Sequence, residues 1–170
     1  MKTTLKKMRR LIILIIFALL LAGISGSIIT YGSSGNDFVR PDLIPTIESI
    51  AAQYSVSPEL VEAMIETESG GISTVRNGSC IGLMQVSTRW HADRAQRLGV
   101  DLNTDEGNIM AGVDYLMELA EESDDLYYVL ATYNGQSDAA EGKANDYADK
   151  ILNRAYELEV IHGKHRYENQ

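Results

Sequence analysis

Apolar residues return at helical spacing along most of the chain after residue 42. Leu43, Ile47, Ile50 and Tyr54 recur every three or four positions and predict a first amphipathic helix. Ser57-Pro58-Glu59 is a helix start: the serine can cap, proline suits the first helical position, and the glutamate complements the dipole. Leu60, Val61, Met64, Ile65 and Glu68 then fall at i, i+1, i+4, i+5 and i+8, and Gly70-Gly71 ends that second helix. Asn77-Gly78-Ser79 marks a turn, and Thr88 to Leu98 is predicted helical up to Gly99. From Asp105 to Glu121, Ile109, Val113, Leu116 and Ala120 form one stripe, interrupted by Gly112, which permits close packing against a neighbour. Asp124 to Tyr133 and Ala144 to Leu158 complete the set, the last with Tyr147, Ile151 and Leu158 on one side. No period-two alternation long enough for a strand is present, so the expectation is an all-α chain with a single helical domain.

The N-terminus has a different pattern. Leu11 to Thr30 carries no charge, and twenty helical residues at ~1.5 Å each give ~30 Å, enough to cross a hydrocarbon core. The basic flank, residues 1–10, should stay cytoplasmic, which leaves everything after residue 30 outside. A cleaved signal peptide is the competing reading, with small residues for cleavage at Gly23-Ile24-Ser25-Gly26-Ser27. An uncleaved anchor is favoured, and either reading puts the domain on the extracytoplasmic side. Residues 31–44 read as a linker, 45–160 as the folded domain and 161–170 as a polar tail.

Charge narrows the partners. Five of the fifteen basic residues lie in the first ten positions, and no acid precedes Asp37. From residue 36 onward ten basic residues face 24 acidic ones, a net charge near −14. Nucleic acid and anionic membrane surfaces are poor electrostatic matches for such a domain. The single cysteine, Cys80, allows no internal disulfide and reads as a small, partly buried residue beside a turn. His91, His162 and His165 are too scattered for a metal site, and the last two fall in the polar tail, where a solvated role is expected.

The candidate chemistry lies at the end of the second helix. Glu68 falls on the apolar face below Met64 and Leu60, whereas Glu66 is turned roughly 200° away, towards the expected solvent side. Among Glu62, Glu66 and Glu68 only the last is placed for desolvation. Burial raises a carboxyl pKa and keeps a proton available near neutral pH, as donation to a glycosidic oxygen requires.

Glu68-Ser69, then Gly82-Leu83-Met84-Gln85, then Asn108 to Leu116, then Tyr133-Asn134-Gly135 follow the residue order of a known family. Over roughly residues 45–155 the chain resembles the lytic transglycosylase domain, which is related to goose-type lysozymes. The resemblance implies a lysozyme-like helical fold and a peptidoglycan glycan substrate, with no cofactor or metal. It implies cleavage of the β-1,4 bond between N-acetylmuramic acid and N-acetylglucosamine, leaving a 1,6-anhydromuramoyl end. By resemblance Glu68 is the single acid/base, and Ser69 positions it or a substrate group. Gly82 lets the backbone approach the sugar, Met84 and Gln85 line the groove, and Tyr133 and Asn134 border the cleft. Tyr147 either faces Glu68 or is a core aromatic. Ser79-Cys80-Ile81 and Gln136 depart from the usual pattern, which touches groove shape rather than the acid.

Two alternatives accompany that reading. A lysozyme-type muramidase would need a second carboxylate to hold water opposite Glu68, and Asp93, Asp101 and Asp105 lie in the intervening stretch. A glycan-binding wall-assembly protein without catalysis would have no need of an acid on an apolar face. Local wall opening for a secretion or conjugation apparatus suits a small tethered domain by analogy.

Overall fold

In the computed structural model, which describes residues 39–135, 142 and 145–168, Pro41–Leu43 forms a 3₁₀ turn that leads into α1, Ile44–Tyr54. Ser55, in the left-handed region, closes α1. α2, Pro58–Ser69, begins as its sequence dictates: Ser57 Oγ accepts from the Leu60 amide at 3.3 Å, Pro58 opens the helix, and Gly70 at φ +62° ends it. α3, α4, α5 and α6 follow at Ala92–Leu98, Asp105–Ala120, Leu126–Tyr133 and Asp146–Glu168. Thr104 caps α4 through the Gly107 amide, and Asp125 caps α5 through the Tyr127 and Tyr128 amides. The helices enclose one core in which Ile47, Met64, Ile65, Ile109, Leu130 and Ile151 are fully buried.

Several expectations need correction. The fold is mostly helical, but three two-residue strands form an antiparallel sheet: β1 Arg76–Asn77, β2 Cys80–Ile81 and β3 Val86–Ser87, in the order β1-β2-β3. Strands this short display no alternation, and the Asn77-Gly78 turn that joins β1 to β2 is their only sequence signal. α3 starts at Ala92 rather than Thr88 because the Thr88 amide still extends the β2–β3 pairing onto the Ser79 carbonyl, and the chain then turns with the His91 amide on the Ser87 carbonyl. α6 runs through the supposed polar tail to Glu168, and His162 is buried rather than solvated.

That burial follows from the pairing of α2 with α6, which is the most extensive helix contact in the fold. The seam between them is polar as well as apolar. His162 Nδ1 lies 3.3 Å from Glu59 Oε1, and Arg154 grips Glu66 through Nε at 2.6 Å and Nη2 at 3.0 Å. At the far end Tyr147 meets Glu68. Glu66 is covered by α6 through Arg154, so the expectation of a solvent-facing Glu66 is overturned. Glu59 and Glu62 are buried too, so Glu68 is not the only desolvated acid of α2. Burial by itself would raise the Glu59 pKa. Hydrogen bonds from His162, its own backbone amide and Ser57 outweigh it and hold the carboxyl below its ordinary value.

No helix among the described residues is long and apolar enough to cross a membrane. The anchor or signal expected at 11–30 lies outside the described residues, as do residues 1–10, most of the 31–44 linker, and Gln136.

Candidate active site

Glu68 occupies the last turn of α2, where the left-handed glycines halt the helix and leave its carboxyl at the rim of the core. The Tyr147 hydroxyl, from the first turn of α6, donates to Glu68 Oε1. Burial raises the Glu68 pKa, and the Tyr147 hydrogen bond and the Lys150 charge lower it by less, so the carboxyl stays above its ordinary value. The Tyr147 phenol is driven far up by burial and by the Glu68 charge, and it remains a donor at any working pH. Of the two readings of Tyr147 the structure selects the one that faces Glu68. Lys150, one turn further along α6, escaped the sequence reading. Its i+3 spacing from Tyr147 was the signal available.

The second wall is the loop from Gly82 to Gln85. Asn108, buried in α4, organises it: Oδ1 accepts from the Met84 amide at 2.8 Å, and Nδ2 donates to the Ile81 and Leu102 carbonyls at 2.8 and 3.1 Å. Gly82 sits at φ +77°, and a Cβ there would come within 2.5 Å of Asn108 Cγ. The group that approaches Gly82 closely in this structure is therefore the Asn108 carboxamide. Gly112, four residues after Asn108 on the same face of α4, leaves room for Met84, whose Sδ a Cβ would meet at 2.7 Å. That confirms the packing role expected for Gly112.

Met84 is fully buried, so its side chain fills the core, and its carbonyl accepts from the Tyr133 hydroxyl at 3.0 Å. Gln85, a non-glycine residue at φ +47°, folds its amide back onto the Gly82 and Val75 carbonyls at 2.9 and 3.2 Å. Ser69 is buried, and its hydroxyl donates to the Ile65 carbonyl at 3.1 Å. Asn134 is exposed at the end of α5. Cys80 is partly buried, as its sequence context suggested.

Tyr133 links the two walls. Its hydroxyl lies on the loop, burial and the Glu68 charge raise its phenol well above the ordinary value, and its ring stands 5.2 Å from that of Tyr115. Glu68, Tyr147 and Tyr133 therefore lie close enough to act on one another's charge, with the Gly82–Gln85 loop against the Tyr133 hydroxyl. Of the carboxylates weighed as partners of Glu68, Asp101 accepts from the Asn103 amide and carboxamide, at 2.9 and 2.8 Å, and Asp105 pairs with Arg40 at 2.5 Å. Asp93 is exposed in the first turn of α3. A proton donor held by a phenol, with a lysine nearby and Asp101 and Asp105 engaged elsewhere, is equipped for general acid catalysis followed by general base catalysis at one carboxyl.

The chain is similar to known proteins in sequence and in fold. The transglycosylase SLT domain model matches residues 45–154. The transglycosylase of Enterobacteria phage PRD1 is 32% identical over 111 residues, which are 63% of this chain and 40% of that protein. The lytic transglycosylase Slt of Pseudomonas aeruginosa, solved as an inactive mutant with glutamine in place of a glutamate, is similar in structure with a TM-score of 0.59. That likeness covers 70% of this chain and 24% of Slt at 17% identity, and it is a likeness of fold. The chain thus matches less than half the length of either relative.

Proposed function

The chain belongs to the transglycosylase SLT domain family, and on that premise we propose that it is a peptidoglycan lytic transglycosylase with Glu68 as its single acid/base. The observation that carries the reading is the half-buried Glu68 carboxyl, raised by burial and held by Tyr147. Glu68 protonates the oxygen that bridges N-acetylmuramic acid to N-acetylglucosamine, and the C1–O bond breaks. The resulting carboxylate takes the proton of the muramoyl 6-hydroxyl, whose oxygen bonds to C1 and closes the 1,6-anhydro ring. Charge development favours each half-step: a raised pKa assists donation, and the Tyr147 hydroxyl and Lys150 stabilise the carboxylate that follows. A well-oriented internal hydroxyl enjoys an effective concentration of up to ~10⁵–10⁸ M, against which water competes only when a second carboxylate positions it. The engagement of Asp101 and Asp105 with other partners supports the internal attack over hydrolysis.

Mass spectrometry of fragments from purified peptidoglycan tests the assignment. Muramoyl ends should resist borohydride and be lighter than reduced hydrolytic ends by one water plus two hydrogens. Reducible muramic acid as the main product would replace this reading with a muramidase. Binding with no released fragment would replace it with a glycan-binding protein.

The charge-free run at 11–30 supports a tether that holds the domain on the extracytoplasmic side, facing the wall. Retention in membranes after carbonate washing is the expected result. An N-terminus found between Gly23 and Tyr31 would instead identify a removed signal and a secreted enzyme.

A further inference from the structure

Beyond Tyr133 the aromatic surface does not stop. The Tyr115 ring lies 5.2 Å from Tyr133, and the His91 ring 4.4 Å beyond Tyr115. Each of the three residues is half-buried. Trp90, the next residue along the chain, is 73% exposed, and the Arg89 guanidinium steadies its indole from 4.9 Å. Its indole offers a broad apolar face at the surface, and a glycan offers the apolar C–H faces of its sugar rings to match.

The strip is built rather than incidental. Arg94, 8% exposed, sits behind it with its guanidinium 5.1 Å from the centre of the Tyr115 ring. Asp114 and Glu118 hold that guanidinium, the latter at 2.9 Å. Its Nε also faces His91 Nδ1 at 3.4 Å, which makes Nδ1 the acceptor and leaves the ring proton on Nε2 as a donor. Burial and the neighbouring Arg94 charge keep that imidazole neutral.

We propose that the substrate cleft continues past Tyr133 along Tyr115 and His91 to Trp90, and that this strip holds saccharides of the glycan strand beyond the bond being cut. The inference rests on the transglycosylase reading of Glu68 and deepens it. Tyr115 and Trp90 supply stacking faces, the His91 Nε2 proton meets a hydroxyl or acetamido oxygen, and Arg94 is a positioning residue that does not touch sugar.

The test uses the Glu68→Gln protein, so that glycan persists, and measures by calorimetry its affinity for peptide-free glycan strands and for a tetrasaccharide cut from them. Long strands should bind more tightly, and adding Trp90→Ala with His91→Ala should weaken long-strand binding roughly tenfold, while Trp90→Phe recovers most of the loss. Tyr156→Ala, an exposed aromatic on α6, should leave both affinities unchanged. If the double substitution spares long-strand affinity, or the parent binds both lengths equally, the inference falls and the transglycosylase reading stands. A Glu68→Gln protein that binds neither length, beside a native protein that releases no fragments, removes both together.

Discussion

Replacing Glu68 with glutamine should abolish wall cleavage and, at neutral pH, make the protein more stable. Glutamine keeps the shape of the side chain and an oxygen that still accepts from the Tyr147 hydroxyl, so the α2–α6 contact survives. What disappears is the transferable proton, and general acid catalysis by such a group contributes ~10²–10⁴ in rate. Stability moves the other way because burial has raised the Glu68 pKa above that of the unfolded chain. A carboxyl raised on folding contributes most favourably below its unfolded value, near pH ~4.3, and loses that contribution as pH climbs through the folded value. At pH 7 the native protein bears the cost of a partly buried carboxylate, and the amide does not. The amide also trades a charge-assisted bond from Tyr147 for a neutral one and forgoes the Lys150 attraction, which trims the gain to about 1 kcal/mol. For a domain of this size that is roughly 3–6 °C in Tm. Turbidity loss of purified walls measures the first effect. Thermal melts at pH 7 and at pH 4 measure the second, and the gap between the two proteins should close at the lower pH. Clearing at near-native rate by Glu68→Gln would refute the acid assignment, and a Tm gain that grows towards acid pH would refute the electrostatic argument.

Tyr147→Phe should move the alkaline limb of the kcat/KM profile to higher pH, because the hydrogen bond it removes lowers the Glu68 pKa; a limb that moves down would contradict this. Glu66→Gln, at a site whose partner Arg154 is itself largely buried, should cost about 1–3 kcal/mol in urea unfolding, against the near-silence expected of a solvent-facing residue. Asn108→Leu strands the Met84 amide and the Ile81 and Leu102 carbonyls, so it should cost on the order of 3 kcal/mol and slow cleavage together, as read by melts and by turbidity. Gly82→Ala should damage the same loop through both its left-handed backbone and the Asn108 contact, with a lowered Tm as the readout.

Local rules carried much of this protein. Ser57-Pro58 and Gly70 set the ends of α2, and the spacing of Leu60, Met64 and Glu68 put an acid on an apolar face, because capping and helical period depend only on neighbours in the chain. The order of Glu68, Gly82–Gln85 and Tyr133 was enough to point to the family. Tertiary structure decided what no local window contains. Tyr147 had two equal readings until α6 lay against α2 and brought its hydroxyl to a carboxyl 79 residues earlier. The same contact took Glu66 and His162 out of water, although their sequence surroundings read as polar surface. Asn108 marked the start of a family segment with no task of its own until packing supplied the three backbone groups that it satisfies. A helix records in its own sequence which of its faces is apolar, but the partner that covers its polar face, and so the protonation and reach of each side chain there, arises only when the helices pack.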